Sequence, residues 1–219
     1  MKLRREHFIV LIIQITEVLG FSLILPFLPL YARNLGASPL TVGLIPASFS
    51  LLQLFSAPIM GRLSDTYGRK PLLLLSQFST FLSFVVLGFA NSLWLIFLSR
   101  AIDGLLGSNF TIAQAYLSDT STKKDRSKVF AISGVAFSFG FLIGPAIGGY
   151  LSRFNYSLAS FLAAFISLIT IFLTYFFLEE SVTNKKQFKF SFRQIINISA
   201  FSKYFSRPRI RAKLLEFLS

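Results

Sequence analysis

Three ionisable side chains stand inside long apolar runs: Glu17, Arg100 and Asp103. A charge near the middle of a bilayer costs about 2.5–3.5 kcal/mol on insertion scales, so such residues face a protein interior or a watered cavity and find partners there. Arg100 and Asp103 are three apart and share one helical face. Arg100 therefore pairs along its own helix, or reaches across to Glu17. Either pairing serves one of two ends: an internal tie between helices, or a site that takes up protons or substrate. A carboxylate that is desolvated yet close to a guanidinium is pulled in opposite directions. If a cavity opened and closed around Glu17, its hold on a proton would change with the state of the protein. Gln14, Asn109 and Gln114 are the polar neighbours expected in the same cavity.

A second concentration of chemistry is "GRLSDTYGRK", residues 61–70, which lies between two apolar runs. It holds Gly61, Arg62, Asp65, Gly68, Arg69 and Lys70. The sequence reads as a short turn in which Gly61 lets a helix come close and Gly68 allows a tight reversal. Asp65 is expected to accept hydrogen bonds from Arg69 or from the open amides of a helix start. Such a network can act as a latch that forms in one state and breaks in another, or as a fixed topological anchor. A third stretch, "GFLIGPAIGG" (140–149), spaces Gly140, Gly144 and Gly148 four apart, with Pro145 inside and Gly149 at its end. Small residues at that spacing let membrane helices approach closely. Pro145 removes a helical hydrogen bond and favours a kink. The stretch is either a tight fixed crossing or a bending, gating helix.

The elements that must position these groups are long apolar helices. Runs of about 20 residues or more, enough to cross a ~30 Å hydrocarbon core, cover roughly 8–30, 39–60, 71–90, 93–118, 128–151 and 155–178. Hydrophobic residues make up 53% of the 219, and charged residues only 14%. That is well below the ~25% usual in soluble domains. The fold class expected is an all-α membrane protein with six transmembrane helices over 1–180, followed by a basic linker over 181–219. The first run is too long for a signal peptide and is expected to remain as a span. Cys is absent and His7 is the single histidine, so thiolate chemistry and the usual zinc sites are excluded. No nucleophile–base–orienter set and no phosphate-cradling loop is present, so an enzyme is not expected, and neither is a metal site.

Charge sorts by side. Lys2, Arg4 and Arg5, then Arg62, Arg69 and Lys70, then Lys123, Lys124, Arg126 and Lys128 occupy every second connection, and the stretch after 178 is also basic. The intervening connections hold only Arg33 and Arg153. The positive-inside rule places the basic connections and both termini in the cytoplasm. The net charge of +13 is thus spread over membrane flanks. It predicts attraction to anionic lipid and no nucleic-acid partner. "GRLSD" (61–65) and "GYLSR" (149–153), 88 residues apart, each follow the second helix of a three-helix set. That placement suggests inverted 3+3 repeats.

Together these stretches resemble the major facilitator superfamily, specifically its drug:proton antiporter group, which includes tetracycline efflux proteins. "GRLSDTYGRK" is similar to that group's signature between helices 2 and 3. "RAIDGLLGSN" (100–109) resembles its helix 4 signature, and "GFLIGPAIGG" its helix 5 antiporter signature. "EVLGFSLILPFLP" (17–29) resembles its helix 1 pattern, and "AQAYLSDTSTKKDRSKVF" (113–130) its helix 4–5 connection. The resemblance spans about 8–180 and implies one six-helix half of a twelve-helix transporter. It implies that Asp65, Arg62 and Arg69 form a charge network stabilising the outward-facing state. It further implies that Arg100 is tied to proton coupling and that Gly144 and Pro145 belong to the antiporter motif. Two departures stand out: Glu17 where the group often has Asp, and Gly107–Ser108–Asn109 where it often has two glycines and Asn.

The function expected is that of a secondary transporter, exporting small amphipathic or drug-like molecules at the expense of a proton gradient, with no cofactor. Its expected partners are the lipid bilayer, a small-molecule substrate, and a C-terminal six-helix half or a second half-chain. Its expected place is the cell membrane. A metabolite or sugar carrier on the same fold would show more polar residues around the cavity. A non-transporting, half-size interaction protein is the other alternative.

Overall fold

The computed structural model describes residues 5–182 of the 219. They belong to a unit spanning Met1–Gln187. The linker expected over 181–219 lies outside the described residues from position 183 onward. Among the described residues all regular structure is helical: α1 (Arg5–Ile24), α2 (Leu28–Asn34), α3 (Pro39–Tyr67), α4 (Arg69–Gly88), α5 (Leu93–Leu106), α6 (Asn109–Thr120), α7 (Arg126–Ser152) and α8 (Tyr156–Phe177). Arg5–Asn34 taken together, α3, α4, α7 and α8 are each long and apolar enough to cross a membrane. α5 and α6 are each too short and make the remaining crossing in succession. The six runs thus become six crossings, two of them interrupted.

The two interruptions have different causes. Pro26 lies in the turn between α1 and α2. It lacks an amide donor and its ring clashes with the preceding turn; Pro29 then suits the first turn of α2. The second break falls at Gly107 and Ser108, where the sequence predicts an unbroken helix over 93–118. Conversely, Pro46 and Pro58 sit inside a continuous α3 and Pro145 inside a continuous α7.

Contacts near the helix ends identify the two ends of the bundle. At one end Tyr31 Oη donates to Ala90 O and its ring stacks on Tyr156, while Asn34 Nδ2 donates to Tyr156 Oη. At the other, His7 meets Thr120, Arg69 meets Asp119, and Tyr116 Oη donates to Glu179 O. The second end carries Arg5, Arg62, Arg69, Lys70, Lys123, Lys124, Arg126 and Lys128. The alternation of charge along the sequence is therefore a separation in space. "GRLSD" and "GYLSR" fall at the C-terminal ends of α3 and α7, at opposite ends of the bundle.

Apolar burial occurs in two clusters with a polar layer between. One gathers Leu23, Phe27, Tyr31, Phe84, Leu87, Ile96 and Ala163. The other gathers Val10, Ile13, Leu73, Ile112, Tyr116, Leu117 and Val129. Along α1, α4 and the α5–α6 crossing, the polar residues between these clusters include Glu17, Ser76, Thr80, Ser83, Arg100, Asp103 and Asn109. α1 packs on α7 through the glycine row. A Cβ at Gly140 would stand 2.8 Å from Ile15 O, one at Gly144 2.8 Å from Leu23 N, and one at Gly148 2.8 Å from Leu23 C. Ser22 Oγ donates to Gly140 O across this contact (3.0 Å). Gly149 has nothing within 4 Å of such a Cβ and takes no part in it.

Candidate functional site

A cavity of about 500 Å³ is bounded by α1, α3, α4, the α5–α6 junction and α7. Its apolar wall includes Phe21, Phe49, Leu54, Phe110 and Phe137, and its polar groups include Glu17, Gln53, Thr80, Asp103 and Asn109. Phe21 and Phe49 lie 5.9 Å apart between ring centroids, and Phe110 meets Phe137 edge-on at 5.5 Å. Among the described residues, Glu17 and Asp103 are the only charged ones lining it, both acidic.

Glu17 is held by α6. Asn109 Nδ2 donates to Glu17 Oε2 (2.6 Å) and to Thr80 Oγ1 (2.9 Å). Thr80 Oγ1 in turn donates to Asp103 Oδ1 (2.8 Å). Two carboxylates, an amide and a hydroxyl thus form one chain along the cavity wall. Glu17 Oε1 is buried without a protein partner among the described residues. Of the two pairings open to Arg100, the structure has the one along its own helix. Its Nη1 lies 3.9 Å from Asp103 Oδ2, an ion pair too long for a hydrogen bond. Arg100 donates instead to Ser83 Oγ (2.9 Å) and Ser99 Oγ (3.3 Å), over the Phe84 ring. It therefore sits behind Asp103 and outside the cavity lining.

The expected polar cavity set divides. Asn109 lines the cavity, whereas Gln14 and Gln114 do not. Those two meet through Ser133: Gln114 Nε2 donates to Ser133 Oγ, which donates to Gln14 Oε1, both at 2.8 Å. They tie α1, α6 and α7 together. Gln53 and Thr80 line the cavity and were missed in the sequence. Gln53 is a lone amide in an apolar run, which was the available signal; nothing in the sequence sets Thr80 apart from other helical threonines.

The 61–70 stretch also differs from the turn expected. Residues 61–67 complete α3, Arg69 begins α4, and only Gly68 stands between them. Its φ of 114° is a backbone that favours glycine. Gly61, by contrast, would accept a Cβ, with Thr111 Cγ2 at an ordinary 3.7 Å, so close approach is not its role. Arg69 is buried and central. It pairs with Asp65, donates from Nε to Asp119 Oδ2 (2.8 Å), and reaches Ser64 Oγ (2.5 Å) and Gly61 O (3.3 Å) from Nη1. The open amides at the start of α4 are taken not by Asp65 but by Glu180, beyond α8. Arg69 N donates to its Oε1 (2.8 Å) and Lys70 N to its Oε2 (3.1 Å). Lys70 Nζ lies over the Tyr175 ring (5.8 Å), and Arg62 is half-buried on the last turns of α3.

A guanidinium can serve these diverging acceptors at once, whereas an ammonium is a point charge. Arg69→Lys is therefore expected to destabilise the purified protein nearly as much as Arg69→Ala, by about 1.5–3 kcal/mol for hydrogen bonds to charged groups. Thermal unfolding in detergent reads this; a lysine variant as stable as the native protein would remove Arg69 from the centre of the network.

Residues 10–218 match the sequence profile of the Major Facilitator Superfamily. The class B tetracycline resistance protein of Escherichia coli is 32% identical over 176 residues, covering 79% of this chain and 44% of that protein. Multidrug resistance protein 2 of Bacillus subtilis (strain 168) is 32% identical over 190 residues, covering 86% and 48%. Among solved structures, the human organic anion transporter MFSD10 superposes with a TM-score of 0.78 at 26% identity, over 89% of this chain and 53% of that one. The chain spans about half the length of the curated relatives it matches. Multiple apolar crossings, an interhelical cavity, the profile match and the shared fold together place the chain in the major facilitator superfamily of multi-pass membrane transporters.

Proposed function

We infer that this chain forms one wall of the substrate cavity of a proton-driven exporter of small amphipathic, drug-like molecules. The observation that carries the reading is Glu17: a titratable side chain on a largely apolar wall that it shares with Asp103, with one oxygen bonded to Asn109 and the other buried without a protein partner among the described residues. A group in that setting takes up and releases a proton as the surrounding cavity is hydrated or occupied. The energy source is the proton gradient, and no cofactor is required. Relatives named for tetracycline and multidrug resistance support a drug-like substrate.

Alternating access rocks one bundle against another around a central site. The opposite wall is a second six-helix unit, carried on the same longer polypeptide or on a second chain. The faces that meet it are those of α3 and α7. In α3 only Ile45, Ser56, Met60 and Ser64 are buried, and in α7 six residues are buried of 27. The basic end of the bundle, with both termini, faces the cytoplasm of the cell membrane. The Asp65–Arg69–Asp119 network at that end, with Arg62 and Lys70 beside it, latches the outward-facing state.

Everted membrane vesicles from cells making the complete transporter test the reading. With the lumen acidified by respiration and followed by a pH-sensitive dye, tetracycline or ethidium is expected to release protons only where the protein is present. Substrate accumulation with no proton release would reject the coupling.

A further inference from the structure

The break at Gly107–Ser108 has no use in a simple membrane crossing, yet it is held from both sides. An unbroken helix would place Asp103 and Asn109 about 9 Å apart along its axis and about 120° apart around it. Here both meet one atom, Thr80 Oγ1, at 2.8 and 2.9 Å. The break is what turns Asn109 toward Thr80 and Glu17.

Breaking a helix in a bilayer frees backbone groups that must find partners within the protein. Carbonyls that α6 amides would have satisfied are taken by neighbouring side chains. Ser56 Oγ donates to Leu105 O, and Gln53 Nε2 donates to Gly107 O at 3.0 Å. On the opposite flank Ser76 Oγ, fully buried on α4, accepts from Ser108 N at 2.6 Å. Two side chains of α3 and one of α4 thus stabilise the broken form over the straight one.

We propose that Gln53, Ser56 and Ser76 are positioning residues: by holding the fourth crossing broken, they aim the Asn109 amide at the Glu17 carboxylate. Their part in coupling rests on the proton-driven reading above, whereas the geometry does not. Ser76 acts through Asn109, since it bonds the residue before Asn109 and does not line the cavity.

The test uses dicyclohexylcarbodiimide, which adds to carboxyl groups in apolar sites, with labelling of the Glu17 peptide quantified by mass spectrometry on the complete protein in membranes. Removing the Asn109 donor frees the Glu17 oxygen. Labelling is expected to rise roughly two- to tenfold, the range equivalent to one hydrogen bond, in Asn109→Ala and by a like factor in Ser76→Ala. The double variant is expected to label no faster than either single one, because the two substitutions remove the same bond. If Ser76→Ala does not accumulate, Gln53→Leu carries the same comparison. Unchanged labelling in either single variant, or factors that multiply in the double, would overturn the proposal. Labelling needs no transport, so vesicles that fail to respond to drugs would reject the export reading and leave this one standing.

Discussion

Glu17→Gln is expected to lower the proposed proton-driven export by roughly 5–150-fold, the span of a 1–3 kcal/mol coupling between two sites. The substitution keeps the shape of the side chain, and the new amide oxygen can still accept from Asn109 Nδ2, which now donates over 2.6 Å. What disappears is titration. The sign that separates this from a packing defect is the pH profile. Export by the native protein is expected to vary with the pH difference across the membrane, and export by the variant to be indifferent to it. Glu17→Asp keeps the charge but withdraws it by one methylene, so the Asn109 bond lengthens or breaks. That variant is expected to fall between the two. A Glu17→Gln protein with a native pH dependence would move the proton site elsewhere, Asp103 being the next titratable group on the cavity wall.

The second large effect concerns neighbours that look alike in sequence. Gly148→Ala is expected to destabilise the bundle by about 1–3 kcal/mol, the usual range for overpacking. The added Cβ would stand 2.8 Å from Leu23 C and closer still to Leu23 O. Both are backbone atoms, so no rotamer relieves the contact and α1 must separate from α7. Gly149→Ala meets nothing within 4 Å. It is expected to be neutral or to gain about 0.5–1 kcal/mol, because glycine inside a helix is less favourable than alanine by that amount. Thermal unfolding of the two variants in the same detergent decides the matter. Equal midpoints would mean that α1 and α7 do not meet along the glycine row.

These cases show where the sequence stopped being legible. The crossings could be read because length and hydropathy against a bilayer act locally, residue by residue. The ends of the bundle could be read because basic residues alternate between connections, and Arg33 and Arg153 alone mark the other side. Glu17, Arg100 and Asp103 declared themselves because a charge in an apolar run is costly wherever it lies. The glycine row at 140, 144 and 148 was visible as a period. The family resemblance carried in these stretches is matched by the profile over residues 10–218.

Partnership was decided only in three dimensions. A helix can direct Arg100 to Asp103 or to another span, and the choice fell to Ser83 and Ser99, which gave the guanidinium closer acceptors than Glu17. The donors at the start of α4 went to Glu180, 111 residues away from Arg69, rather than to nearby Asp65. Prolines in similar apolar settings gave opposite results: a turn at Pro26, and continuous helices through Pro46, Pro58 and Pro145. The fourth crossing broke at Gly107 although its pattern reads as one helix, because Gln53, Ser56 and Ser76 supply the hydrogen bonds that a straight helix would have made for itself. Burial and charge are properties of a residue, and a sequence lists them. A hydrogen bond between distant segments is a property of a pair, and only packing determines which pairs meet.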